Sequence, residues 1–111
     1  YRPLGGGIEF SESGKVAIER EIFEELNERV VVHGLIASFE NIFTFEGFQG
    51  HEIIMLFKTS FTNEAVYKTQ DLDIYESGSS VGKAVWRSVA EIKTEGANLY
   101  PLGLEDVICE N

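Results

Sequence analysis

The spacing of apolar residues divides the chain into blocks. Ile18, Ile22 and Leu26 recur at i, i+4 and i+8, which is one face of a helix. Ser11 and Ser13 are both suitable N-caps, so the helix is expected to start beside one of them and run to about Leu26. Asn27 stands where a helix end favours a left-handed residue. Before the helix, residues 2–10 read as a glycine-rich loop ending in a short extended piece.

From Val30 the pattern changes. Residues 30–45 are rich in β-branched and aromatic side chains and predict one or two strands. Residues 46–50 read as a hairpin loop and 51–62 as a second long strand. Residues 63–80 are polar and read as loop. Val81–Ser88, with Trp86, reads as a further strand, Val89–Lys93 as a helical turn, and Leu104–Cys109 as a closing helix. A helix set among strands argues for a layered α/β or α+β domain.

The helix carries more than its apolar stripe. With Glu21 at zero and about 100° per residue, Glu25 falls near +40°, Glu28 near −20° and Glu24 near −60°. Four carboxylates therefore share one face. Glu21/Glu25 and Glu24/Glu28 are like-charge pairs at i, i+4, each costing roughly 0.2–0.5 kcal/mol. Three of these acids also sit at the helix C-terminus, where the macrodipole disfavours them. A divalent cation removes that repulsion, and Mg²⁺ favours carboxylate oxygens combined with substrate phosphates. Gly5-Gly6-Gly7 just upstream allows backbone to approach a ligand closely, although a tight turn would use such a run equally well.

Composition narrows the partners. The 111 residues suit one domain, with 43% apolar and 25% charged residues. The net charge of −10 opposes binding to a nucleic-acid polymer or an anionic membrane. A small polyphosphate remains accessible if metal ions lie between. Cys109 is the one cysteine, so no disulfide forms within these residues, which fits a reducing cytoplasm.

These residues together resemble the Nudix box: Gly, five residues, Glu, seven residues, then Arg-Glu-apolar-any-Glu-Glu-any-Gly-apolar. Gly6, Glu12, Arg20, Glu21, Ile22, Glu24 and Glu25 meet seven of its nine defined positions, including every charged one. Asn27 replaces the final glycine and Glu28 the final apolar residue. Trp86 and Leu99-Tyr100-Pro101 are similar to the family's C-terminal part.

The resemblance implies a Nudix-type α/β/α sandwich with a mixed sheet, and hydrolysis of a nucleoside diphosphate linked to another moiety. Glu21, Glu24 and Glu25, with the carbonyl of Gly5, would bind Mg²⁺ or Mn²⁺. Arg20 would orient the carboxylates, and Glu12 would brace the loop. Glu21 or Glu24 would serve as general base. A loop carboxylate is the other candidate for that role, and Glu76 is preferred over Asp71 and Asp73 for its closeness to Trp86 and the Ser77-Gly78-Ser79 run. Tyr1, Arg2 and Phe45 are the expected substrate contacts. The family fold has a strand upstream of the box, so residues before Tyr1 are expected. A homodimer is compatible with this reading.

Other residues carry weaker signals. His33 and His51 have no paired ligand motif and are read as structural or exposed. Phe39, Phe43, Phe45 and Phe48 could stack on a base, but core positions are favoured for most of them. Cys109 is read as inert. The rival class is a non-catalytic, Nudix-like ligand-binding or regulatory domain, which usually loses box carboxylates that this chain keeps. Removal of damaged nucleoside triphosphates is a second enzymatic reading. Phe43 and Phe45 stand where ADP-ribose enzymes carry a proline and diadenosine polyphosphate enzymes a tyrosine. The substrate is therefore left open.

Overall fold

The computed structural model describes residues 1–101 and 103–109. Helix α1 spans Gly14–Leu26 and is followed by strands β1 (Val30–Phe45) and β2 (Phe48–Phe61). A 3₁₀ turn (Glu64–Lys68) leads to β3 (Asp71–Glu76) and β4 (Ser79–Val85). Helices α2 (Val89–Glu95) and α3 (Leu104–Cys109) close the order. The class is α+β. Both ladders are antiparallel hairpins, β1 with β2 and β3 with β4, and no parallel ladder occurs among the described residues. No described helix is long and apolar enough to cross a membrane.

Each hairpin closes on two residues of positive φ. Glu46 and Gly47 have φ of 49° and 84°, and Ser77 and Gly78 have 51° and 83°. That is the geometry of the tight turn whose twist matches flanking strands. The first turn is therefore shorter than the expected loop over 46–50, and β2 begins at Phe48.

The second hairpin corrects the reading of 63–80 as loop. Leu72 and Ile74 alternate with Asp71 and Asp73, a short period-2 pattern that polar neighbours obscure. Ser77-Gly78 is its turn signal. Trp86 lies just past β4 rather than within a strand. Its indole N–H donates to the Val66 carbonyl at 3.1 Å, and its ring stacks on Tyr67 at 5.2 Å.

The core is small: Ala17, Ile22, Leu26, Val66, Ile92 and Leu104 are buried. On α1 the buried stripe begins at Ala17. Ile18 is only half-buried and faces Gly5, with its Cδ1 3.8 Å from where a β-carbon on Gly5 would lie. The preference for phenylalanine as core is also corrected. Phe43, Phe45 and Phe48 are exposed and Phe39 is half-buried, because nothing described covers the outer part of the first hairpin. His33 and His51 are exposed and bond across the strands to Ser60 and Glu40, each at 2.6 Å. The side chain of Cys109 lies outside the described residues.

Candidate functional site

Local chemistry fixes both ends of α1. The Ser13 hydroxyl accepts from the Val16 N–H at 3.2 Å. Asn27 adopts φ 56° and ψ 34°, and its N–H donates to the Phe23 carbonyl at 2.8 Å. Asparagine tolerates the left-handed region, so the helix stops here without glycine.

Between these ends Arg20 is the hub. Its Nε and Nη2 donate to the Glu12 carboxylate at 2.7 and 2.9 Å. Nη1 donates to Glu21 at 2.9 Å and to Glu24 at 3.2 Å. Nη2 also reaches the Gly7 carbonyl at 3.0 Å. One guanidinium thus ties the glycine loop to the carboxylate helix, a task suited to its planar fork of donors. Glu12 is held at both oxygens and also accepts from the Glu9 N–H at 3.1 Å. The bonds from Arg20, aided by Glu9, hold its carboxyl down at about 2. The same pairing raises the already high Arg20 value further.

Gly6 meets the helix at Glu21. A β-carbon at Gly6 would collide with the Glu21 carboxyl. Any other residue there would push that carboxylate from its place beside Arg20.

A cavity of about 700 Å³ opens against this helix. Glu21, Glu24 and Glu25 form one wall, and Ile74, Tyr75, Glu76, Ser77 and Val81 form the other. A β-bulge shapes the second wall. Ile74 pairs with Gly82 and Tyr75 with Ser80, leaving Val81 as the extra residue. Sequence reasoning misses Ile74, which lies in the stretch read as loop, and although Val81 begins an expected strand, nothing in that strand alone marks it as a bulge facing a cavity. Glu76 does line the cavity, from the last position of β3.

The electrostatics are unbalanced. Burial pushes the Glu25 carboxyl upward, and the neighbouring Glu21 and Glu24 add to the shift, with Arg2 opposing it. Glu21 is drawn to Arg20, while its charge acts against that of Glu25. Among the described residues no three acidic, histidine or cysteine groups gather closely enough to hold a metal ion. The donors share a cavity wall but do not converge on a point.

Tyr1, Arg2 and Phe45 are absent from the described cavity lining. The Tyr1 hydroxyl donates to Glu95 at 3.0 Å, and its ring lies 6.0 Å from the Arg87 guanidinium. Arg2 acts on Glu25 through its charge. Phe45 stands at the turn of the first hairpin. Comparison of the chain with family models, curated proteins and solved structures yields no match.

Proposed function

We propose that this chain is a Nudix-type hydrolase domain. It cleaves a phosphoanhydride bond in a nucleoside diphosphate linked to another moiety, or in a nucleoside triphosphate. The observation that carries this reading is the meeting of Glu21, Glu24, Glu25 and Glu76 on the two walls of one cavity. The Arg20 bonds to Glu12, Glu21 and Glu24 support it. The Nudix-type sandwich with its mixed sheet belongs to the same proposal, with the two antiparallel hairpins as parts of it.

The donor chemistry suits Mg²⁺ or Mn²⁺: every candidate ligand is a hard oxygen, and Glu25 sits amid negative charge that a cation would offset. Glu21, Glu24 and Glu25, with the Gly5 carbonyl, would hold the ion, which when bound supplies phosphate charge neutralisation and a more acidic water. Arg20 fixes the rotamers of Glu21 and Glu24 against their repulsion. Glu76, across the cavity, accepts the proton of the attacking water at a carboxylate oxygen. The new P–O bond forms as the bridging P–O bond breaks, and the leaving phosphate takes the electron pair. Glu21 or Glu24 is the alternative base.

The partner is a small nucleotide rather than a polymer or membrane, because the chain carries a net charge of −10. A reducing cytoplasm is the proposed compartment. The test is a panel of nucleoside diphosphate derivatives and nucleoside triphosphates, assayed with Mg²⁺ and with EDTA. Metal-dependent release of phosphate or a nucleoside monophosphate is expected. Binding without turnover across the panel would favour the non-catalytic alternative.

A further inference from the structure

The first hairpin presents an apolar face that nothing described covers. On β2 the even-numbered residues point to one side and the odd-numbered to the other. Gly14, at the start of α1, packs against the odd side: a β-carbon there would lie 3.0 Å from both Met55 and Phe57. Phe48 is on the even side, and its cross-strand partner Phe45 shares that side. Phe43, paired with Gly50, lies there too, and its ring fills the space that a Gly50 side chain would need. Phe43 is 40% exposed, Phe45 66% and Phe48 79%.

Area and charge indicate the occupant. At about 200 Å² per aromatic side chain, the exposed parts of these three rings come to about 370 Å². That is nearly half of the ~800 Å² per partner in a standard interface, before any polar rim is counted. The face carries few charges: Glu52, which accepts from the Asn41 amide at 3.0 Å, and Lys58 farther from the turn, with Glu46 in the turn beside Phe45. A matching surface must also be apolar and nearly uncharged, and this face is itself such a surface. It lies opposite the side on which α1 packs at Met55 and Phe57, so pairing two copies here keeps the acidic helices on the outside. That matters for a chain of net charge −10.

We infer that the Phe43/Phe45/Phe48 face of the first hairpin is a homodimer interface, packed against the same face of a second copy about a two-fold axis. Such an interface is self-complementary by symmetry. The inference does not depend on the enzymatic reading.

Sedimentation equilibrium of the 111-residue chain at micromolar concentrations tests it. The expected wild-type mass is twice 12.4 kDa. Phe48→Glu and Phe45→Glu should each return the monomer, with unchanged circular dichroism. Ile53→Glu, on the odd side of β2 and equally exposed, should remain dimeric. A monomeric wild type would leave the face to another chain or segment and overturn the proposal. So would a dimer that survives both phenylalanine variants or is broken only by Ile53→Glu.

Discussion

Gly6 lies against Glu21 so closely that a β-carbon on the glycine would take the place of the carboxyl. The glycine is therefore required here by space. Gly6→Ala should leave the fold intact, since Gly6 is not among the residues of positive φ. It should displace Glu21 and lower turnover about 100-fold, the typical cost of a misplacement of about 1 Å. Circular dichroism alongside a Mg²⁺-dependent hydrolysis assay checks both halves.

Glu24 and Glu76 face one another's walls of the cavity, and their glutamine variants should differ in effect. Glu24→Gln should lower turnover by orders of magnitude, and EDTA should abolish the wild-type reaction. Undiminished hydrolysis in either case would refute metal assistance. Glu76→Gln should lower turnover with little change in KM. A rate within about twofold of wild type would return the role of base to the helix.

Asn27 ends α1 in the left-handed region. Asn27→Gly should be neutral or slightly stabilising, and Asn27→Val should cost about 1 kcal/mol or more. Urea denaturation measures both. A valine variant as stable as wild type would show that the turn relaxes into another conformation.

The Glu12–Arg20 pair predicts acid sensitivity of a definite sign. The folded-state value of Glu12 is lowered from 4.5 to about 2. Its stabilising contribution is therefore complete above 4.5 and is lost as pH falls from there towards 2. Glu12→Gln should remove the part of the acid transition in that window, as followed by circular dichroism.

Glu25 has the opposite sign. Its carboxyl is raised in the folded chain, so the charged form at neutral pH costs stability. Glu25→Gln should raise the melting temperature in EDTA, relieving a like-charge pair worth a few tenths of a kcal/mol. Mg²⁺ binding, followed by calorimetry, should weaken as pH falls through the raised value and should release protons near it. A variant that melts lower in EDTA would contradict the repulsion.

The sequence was clearest where spacing and local chemistry act together. α1, its Asn27 cap and the partners of Arg20 follow from contacts within a few turns of helix and the loop just before it. Strand β3 is masked because Asp71 and Asp73 make it look like part of a polar loop, and Ser79 and Ser80 mask the start of β4, whose remainder falls in the strand expected from Val81. The bulge at Val81 depends on cross-strand register, which one strand alone does not encode. The exposure of Phe43 and Phe48 departs from the core reading for a different reason: apolar character records a preference for burial, whereas burial itself depends on a covering layer. In the sequence, Glu76 stands out for its nearness to Trp86 and for the Ser77-Gly78-Ser79 run after it. It lines the cavity instead because it ends β3.

The bulged hairpin also bears on the order of folding. Each hairpin closes through its own two-residue turn, and α1 forms from adjacent residues, so these units can assemble quickly and separately. The cavity cannot. Its walls join Glu25 to Ile74 across the whole of the first hairpin, and closing that long loop is an entropic cost met only when helix and hairpin dock. Glu76 thus meets the three carboxylates of α1 only at that docking step.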